Sequence, residues 1–207
     1  MTIEFNGTGG LMEGDFGTAD IDVNLDPALV FEGTNDFINL DTAVSAVSGL
    51  TQGTISAWFK TPVSTQTGNI FGASDSGDGS SEIRVIVETS RISFSVRENG
   101  SFITRVSTDA AINDNSWHHV AVTNTTSGNK IYLDGVEQAV TYVAGNASTD
   151  AFFDNVLNID AVRIGSNVDS GGDSQWNFLG NIADVRVYNT ALTTEIPILA
   201  SRIGIDN

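Results

Sequence analysis

The residues whose types and spacing best suit chemistry lie in a loop over positions 74–82, which reads Ser-Asp-Ser-Gly-Asp-Gly-Ser-Ser-Glu. Asp75, Asp78 and Glu82 stand among glycines that let backbone carbonyls turn inward, and calcium takes about 6 to 8 oxygen ligands of this mixed kind. The spacing does not match an EF-hand loop, because no Glu stands at the twelfth position. The loop predicts either a cation site or a solvated, turn-forming segment, and the sequence leaves both open.

A second candidate is Trp176, which lies in a Gly- and Asp-rich stretch before Phe178. An exposed indole ring can stack on a sugar, whereas a buried one would anchor the loop on the domain. Trp58 and Trp117 lie in strand-like runs, so we expect them to be packing residues. Trp176 is therefore the tryptophan expected to contact a ligand.

The pair His118-His119 has the residue type of a metal site but the wrong spacing. Neighbours on a strand point to opposite faces and cannot converge on one ion. The chain has 2 histidines, so nothing else completes a histidine cluster. We expect a structural role, with one ring facing the core and the other exposed.

Charge excludes some classes of partner. The formal net charge is −17, from 9 basic and 26 acidic side chains, and such a field repels nucleic acid and anionic lipid. No segment approaches the ~20 apolar residues of a membrane span. The acidity fits solubility in a salty medium and also fits divalent-cation binding. With no cysteine, the chain needs no disulfide in any compartment.

The elements that must position these residues are strands. From Ala28 onward, short β-branched and aromatic runs alternate with clusters of Gly, Asn, Asp and Ser, a pattern typical of an antiparallel sandwich. Apolar residues alternate in several runs, as at Ile83, Val85 and Val87, so each strand is expected to have one solvent-facing side. Asn99-Gly100 and Asp134-Gly135 predict two tight hairpins, because both pairs accept positive φ.

We divide the chain into three parts. Residues 1–26 are a Gly/Asp-rich arm around one short strand at Ile3–Phe5, and 27–196 form the sandwich. Residues 197–207 are a tail packed on or beside it. One or two helical turns are expected between Leu192 and Pro197.

Five segments in order resemble laminin G-like, pentraxin-related domains of the concanavalin A-like lectin/glucanase superfamily. They are 28–40 (ALVFEGTNDFINL), 54–60 (TISAWFK), 116–123 (SWHHVAVT), 131–136 (IYLDGV) and 178–192 (FLGNIADVRVYNTAL). The resemblance implies an all-β, antiparallel jelly-roll sandwich of two curved sheets. It also implies ligand binding, since such domains bind glycans, proteins or lipid headgroups at rim loops or along the concave face.

The resemblance also implies metal ligands. In pentraxins the loop equivalent to 74–82 carries calcium ligands, here Asp75 and Asp78. An acidic loop equivalent to 164–173 completes the site with Asn167 and Asp169. Val168 stands where that family has an amide. In some laminin G-like relatives, acids equivalent to Asp36 and Asp184 hold a structural calcium between the first and last strands.

An alternative for Asp36 is that its carboxylate braces a turn by accepting backbone N–H bonds.

Catalysis is not expected. Glucanases of the superfamily use two carboxylates about 5 to 9 Å apart, whereas Glu82 and Glu88 share a strand face but lie roughly 20 Å apart along the strand. The Glu-x-Asp-x-x-Glu strand motif of those enzymes is missing.

The leading hypothesis is a recognition or adhesion module that binds a glycan or a surface protein through its rim loops, assisted by calcium, with Trp176 and Asn167 as ligand contacts. The alternative is a structural or decoration protein of a phage particle or surface layer, with the arm 1–26 docked on a scaffold. Nothing near Met1 resembles a secretion signal, and either hypothesis places the chain outside the cell or on a virion. Exposed edge strands permit a homo-oligomer.

Overall fold

The computed structural model describes residues 2–4, 19–23, 28–62, 67–112, 115–168 and 174–201. Strands dominate these residues, as the β-branched and aromatic runs predict. The strands, in chain order, are β1 (Thr2–Glu4), β2 (Ala19–Val23), β3 (Leu29–Glu32), β4 (Phe37–Asn39), β5 (Gly53–Lys60), β6 (Thr67–Ser74), β7 (Glu82–Glu88), β8 (Arg91–Glu98), β9 (Ser101–Thr108), β10 (His118–Thr125), β11 (Gly128–Leu133), β12 (Val136–Glu137), β13 (Val140–Ala144), β14 (Ala161–Ile164), β15 (Asn167–Val168), β16 (Ser174–Gln175) and β17 (Leu179–Tyr188). The short helices are α1 (Val44–Val47) and α2 (Ile196–Leu199), with 3-10 turns at Asp41–Ala43 and Phe153–Asn155.

Two large sheets form a sandwich. The eight-stranded sheet has the order β1-β4-β14-β6-β7-β8-β9-β13. The seven-stranded sheet has the order β12-β11-β10-β5-β17-β2, and β3 also pairs with β17. Neighbours are antiparallel except β1 and β4, which are parallel, and β15 pairs with β16 as a small separate hairpin. The predicted all-β sandwich of antiparallel sheets is confirmed.

Alternation along the strands places the core between the sheets. On β7 the side chains of Ile83, Val85 and Val87 are at most 1% exposed. Phe59 on β5 and Phe94 on β8 are fully buried in the same cluster. Burying each side chain of this size stabilises the fold by about 1.5–3 kcal/mol relative to leaving it exposed.

The central strands lack the solvent-facing side that the sequence led us to expect. On β5, Thr54 and Ser56 are buried, as are the alternating core residues Ile55 and Ala57. The C-terminal segment covers this outer face: Thr54 Oγ1 donates to the Thr190 carbonyl at 2.9 Å and accepts the Leu192 N–H at 2.8 Å. The covering cluster consists of Ala121, Tyr132, Tyr188, Leu192, Ile196 and Leu199.

Helix α2 begins at Ile196, so the predicted helical turn lies around Pro197 rather than before it. Proline is tolerated there because the first turn of a helix has no intrahelical acceptor for its missing N–H. In the described part of the chain, no helix has the length and apolar character needed to cross a membrane.

Both predicted hairpins are confirmed. Asn99-Gly100 joins β8 to β9 with φ of 47° and 79°, and Asp134-Gly135 joins β11 to β12 with φ of 50° and 81°. Positive φ at both central residues matches the right-handed twist of the flanking strands.

Within the predicted N-terminal arm, β1 lies one residue earlier than the expected strand, and β2 was not expected. Residues 5–18, 24–27 and 202–207 lie outside the described residues. The division into arm, sandwich and tail therefore stays a prediction.

Candidate functional site

The outer face of the eight-stranded sheet carries a polar groove of about 250 Å³. Because side chains alternate along a strand, the residues between the core positions of β7, β8 and β9 all point to this face. We call it the arginine groove, after its three guanidinium groups. Its lining residues are Thr67, Gly79, Glu82, Arg84, Ile86, Glu88, Ser93, Ser95, Arg97, Phe102, Arg105, Gln175 and Trp176.

Strand register brings the three arginines together. Ser95 on β8 lies opposite Arg84 on one side and Arg105 on the other, so these residues form one row across three strands. Arg97 lies directly opposite Glu82. Cross-strand neighbours of this kind have Cβ atoms about 4.5–5.5 Å apart.

A β-bulge is needed for this arrangement. The pairing of β8 with β9 shifts between Val96 and Arg97, which leaves Ile103 as an extra residue on β9. Continuing the hairpin without that shift would place Arg105 opposite Phe94, on the core face. The bulge exchanges the two faces of β9 and turns Arg105 toward the groove.

Glu82 forms the buried floor of the groove, with 2% of its surface exposed. Its Oε1 atom lies 3.2 Å from Arg84 Nη2 and 3.8 Å from Arg97 Nη1. Its Oε2 atom accepts a hydrogen bond from Asn167 Nδ2 at 2.6 Å. Burial raises the pKa of Glu82, while the two guanidinium groups and the Asn167 amide oppose that rise.

Glu88 is the second carboxylate of the groove. Arg105 Nη2 donates to both of its oxygens, at 2.8 and 2.9 Å, and the Ser93 hydroxyl donates to Oε2 at 3.3 Å. Both side chains of this ion pair are 30% exposed. A bound ligand can therefore reach Arg105, whereas Glu82 is closed off.

Two buried guanidinium nitrogens of the groove have no hydrogen-bond partner among the residues that the structure describes. They are the buried Nε atoms of Arg84 and Arg97. Burial also lowers the pKa of Arg84, since its charge is removed from water. A buried donor without a partner costs about 1–3 kcal/mol, so these two atoms lower the stability of the groove's own structure.

Aromatic rings flank the guanidinium groups. The Arg84 Cζ atom lies 5.4 Å from the centre of the Trp176 ring, and Phe102 lies between Arg97 and Arg105 at 5.4 and 5.2 Å. These separations suit cation–π attraction. Trp176 is 41% exposed, and its carbonyl accepts the Asn69 N–H at 2.7 Å. The hairpin β15–β16 is thereby held against β6, with the indole ring at the groove.

The groove is a local exception to the charge of the chain. The chain carries 9 basic side chains against 26 acidic ones, yet three of the nine converge here against two carboxylates. Charges within a Debye length of about 8 Å determine what a bound group experiences at physiological salt. Among the lining residues, guanidinium groups therefore outnumber carboxylates by one, while Asp78 beside the lining also interacts with Arg97.

Two of the three carboxylates of the loop 74–82, those of Asp75 and Asp78, are hydrogen-bonded within the loop itself. Asp75 Oδ1 accepts the Gly77 N–H at 2.8 Å. Asp78 accepts the hydroxyl groups of Ser80 and Ser81, which lower its pKa.

Asn167, the predicted partner of these acids, is buried and bonded to Glu82 instead. Asp169 lies outside the described residues.

The second predicted calcium pair is also engaged locally. Asp36 Oδ2 accepts the Glu32 N–H at 2.8 Å and lines a separate cleft of about 220 Å³. Asp184 binds Arg186 through Nε at 2.8 Å and Nη2 at 2.7 Å. In the ranges that the structure describes, no three acidic or histidine side chains form a group that could hold a metal ion.

The two histidines occupy different environments. His118 Nδ1 lies 2.8 Å from Asp134 Oδ2, and the His119 N–H donates to Asp134 Oδ1 at 2.8 Å. His119 is buried against Trp58, and His118 is half-buried near Phe59, so neither ring is exposed as one was expected to be. Asp134 thus ties the hairpin of β11 and β12 to β10.

The sequence pointed to Trp176, which lines the groove, but the arginines beside it were not predicted as site residues. A signal for the groove was available in the sequence. Glu82, Arg84, Ile86 and Glu88 alternate with the core residues of one strand, so its outer face carries three charged side chains, and Arg97 lies beside the predicted hairpin.

Comparison with known proteins gives one family and several structural relatives. A family model described as the concanavalin A-like lectin/glucanases superfamily matches residues 32–196. No curated protein matches the chain. The fold is similar to that of the CBM40 of Ruminococcus gnavus IT-sialidase, solved bound to alpha2,3 sialyllactose, with a TM-score of 0.74 and 17% identity over 88% of this chain and 99% of that one.

Two other similar structures come from different organisms. A leech intramolecular trans-sialidase, complexed with 2,7-anhydro-Neu5Ac, has a TM-score of 0.73 and 19% identity, covering 91% of this chain but 28% of that one. A native heptameric SAP-like pentraxin from Limulus polyphemus has a TM-score of 0.58 and 20% identity, covering 85% of this chain and 82% of that one. At these identities the likeness concerns the fold.

Proposed function

Because the chain belongs to the concanavalin A-like lectin/glucanases superfamily, as its resemblance implied, we propose that it is a non-catalytic module that binds an acidic glycan in the arginine groove. The observation that carries the proposal is the convergence of Arg84, Arg97 and Arg105 on one groove of a chain with net charge −17. Guanidinium groups bind carboxylates through paired, charge-assisted N–H bonds. The groove therefore suits a sugar that carries a carboxylate.

Each part of the groove has a role in this proposal. Arg97 and Arg105 are the anion-binding residues, because their side chains are 31% and 30% exposed and can reach a ligand. Trp176 offers an exposed ring for the apolar face of a sugar. Arg84 is nearly buried and supports the indole ring from below.

The structural relatives support a sialylated ligand in particular. The R. gnavus CBM40 was solved with alpha2,3 sialyllactose, and the same module was solved with alpha2,6 sialyllactose. Sialic acid carries one carboxylate, which is the group that the exposed arginines favour. The groove volume of about 250 Å³ lies just below the ~300–1,000 Å³ typical of small-molecule pockets, which suits one sugar unit.

The absence of catalysis is part of the proposal. Glu82 is buried beneath the arginines, and Glu88 is paired with Arg105, so neither is placed as a free acid or nucleophile. A glycosidase needs two carboxylates about 5–9 Å apart on either side of the scissile bond.

Isothermal titration calorimetry tests the proposal. We expect wild-type protein to bind 3′-sialyllactose and to bind neutral lactose at least about tenfold more weakly, since tenfold corresponds to about 1.4 kcal/mol. Arg97→Ala should abolish the difference. Lys130→Ala is the matched control, because it removes an exposed positive charge from the seven-stranded sheet. Equal affinity for both sugars in wild-type protein would contradict the proposal.

Calcium assistance is a separate proposal that rests on the acidic loops. Thermal unfolding with calcium and with a chelator tests it, because a ligand held by the native state raises the midpoint. A rise abolished by Asp169→Ala would locate the ion at the rim, and a rise abolished by Asp36→Ala would locate it at the cleft of β3 and β4. An unchanged midpoint would exclude calcium binding.

A further inference from the structure

The arginine groove contains its own anions. Glu88 accepts two bonds from Arg105 and one from Ser93, and Glu82 lies within 4 Å of both Arg84 and Arg97. Counted over the lining residues, three guanidinium groups and two carboxylates leave one net positive charge, and Asp78, which also interacts with Arg97, adds a carboxylate beside the groove. Without Glu82 and Glu88, the lining of the groove would carry three positive charges and would suit a glycan with several negative charges.

We infer that Glu88 is a specificity-determining residue that, together with Glu82, restricts the groove to glycans carrying a single negative charge. This inference rests on the proposed function and adds the charge of the ligand to it. The occupant is then a sugar with one carboxylate, and sulfated or multiply acidic glycans are discriminated against.

The geometry around Arg105 shows how the restriction works. Both bonds to Glu88 use the same nitrogen, Nη2, so Nε and Nη1 of Arg105 take no part in them. Nη2 is occupied by Glu88, and because Cδ separates Nη1 from the Nε–H, the remaining donors can give one ligand carboxylate a single hydrogen bond. A second anionic group on the same ligand would approach Glu88 itself, and repulsion between like charges weakens binding.

The position of Glu88 is fixed by the strands, not by a flexible loop. It is the last residue of β7 and lies opposite Arg91, while Ser93 and Ser107 form the next row, with hydroxyl oxygens 2.7 Å apart. Ser93 links this row to the carboxylate. Glu88 is therefore held beside Arg105 whether or not a ligand is present.

An alternative role for Glu88 is to brace Arg105 without affecting selectivity. The two roles differ in one measurable quantity. If Glu88 only holds Arg105 in place, its removal changes the affinity for every anionic ligand to the same extent. If its negative charge repels ligand anions, its removal changes the affinity for a doubly charged ligand more than for a singly charged one.

Calorimetry with three ligands distinguishes these roles. The ligands are lactose, 3′-sialyllactose and 3′-sialyllactose with one added sulfate, which carry zero, one and two negative charges. The proteins are wild type, Glu88→Gln, Glu82→Gln and the control Glu137→Gln, which removes an exposed acid from β12. The decisive quantity is the ratio of the two dissociation constants for the charged ligands, because any steric effect of the sulfate cancels when proteins are compared.

We expect wild-type protein and Glu137→Gln to gain no more than about twofold in affinity from the sulfate. Glu88→Gln should shift the ratio roughly tenfold toward the doubly charged ligand. The substitution removes the negative charge of Glu88, and repulsion between that charge and a sulfate some 6 Å away is of this order. Glu82→Gln should shift the ratio in the same direction.

Two results would overturn the inference in distinguishable ways. If 3′-sialyllactose binds better than lactose but the ratio is the same in wild type and Glu88→Gln, Glu88 is only a brace and the proposed function stands. If no acidic glycan binds better than lactose, the proposed function fails and the inference fails with it.

Discussion

Glu82 on β7 lies directly opposite Arg97 on β8, and its Oε1 atom bridges Arg97 at 3.8 Å and Arg84 at 3.2 Å. One buried carboxylate thus connects two guanidinium groups, and through Asn167 it also holds the hairpin that carries Trp176. Glu82 therefore contributes both to the arrangement of the arginine groove and to the stability of the fold.

Glu82→Ala should destabilise the protein by about 3 kcal/mol. The substitution leaves the buried guanidinium group of Arg84 without its nearest anion, and removing one partner of a buried ion pair is costly. Urea denaturation measures the change. Glu137→Ala, which breaks an exposed pair with Lys130, should cost about 1 kcal/mol or less. Equal losses for the two variants would contradict the buried position of Glu82.

His119 should make the protein less stable in mild acid. Burial lowers the pKa of His119 from 6.5 to about 4, with Asp134 opposing and Arg186 reinforcing the shift. Below pH 6.5 the unfolded chain takes up a proton that the folded chain does not, so stability falls until about pH 4. The loss is on the order of 3 kcal/mol. Chemical denaturation across this range should give a flatter profile for His119→Gln, and an unchanged slope would exclude His119 as the cause.

Gly165→Ala should destabilise the protein by at least about 2 kcal/mol. Gly165 has φ of 83°, and a Cβ atom there would lie 2.2 Å from the Phe31 ring. Both backbone strain and displacement of a core ring oppose the substitution. The matched control is Gly49→Ala, where a Cβ atom meets nothing within 4 Å, with an expected change within about 0.5 kcal/mol. Thermal unfolding compares the two, and equal midpoints would contradict the packing of Phe31 beneath this turn.

Ligand should stabilise the folded chain. At a 3′-sialyllactose concentration of about 100 times Kd, the gain is about 2.7 kcal/mol, which raises Tm by roughly 5–10 °C for a domain of this size. Arg97→Ala, with an affinity about tenfold lower, should show about half of this gain at the same concentration. Differential scanning fluorimetry measures both, and an equal rise in the variant would place the ligand elsewhere.

The fold was predictable because its signals are local. Alternation at Ile83, Val85 and Val87 identifies a strand face, and Asn99-Gly100 identifies a hairpin without reference to the rest of the chain. What alternation did not reveal is burial on both faces of β5, since the covering residues arrive from more than 130 positions away, as in the contact of Leu192 with Thr54.

The site was only partly predictable, because it depends on register between strands. The hairpin at Asn99-Gly100 places Arg97 opposite Phe102, and that pairing follows from the sequence. The bulge at Ile103 does not follow from it, and without the bulge Arg105 faces the core. The acidic loop is visible in the sequence because its residues are adjacent there, whereas those of the groove come from separate strands.

The most direct test of acidic-glycan binding in the groove is an NMR titration that follows the arginine Nε–H and tryptophan indole N–H signals. On adding 3′-sialyllactose we expect the signals of Arg97, Arg105 and Trp176 to move together and saturate, while lactose leaves the arginine signals in place. Shifts confined to the loop 74–82 or to the seven-stranded sheet, with these three signals unchanged, would contradict binding in the groove.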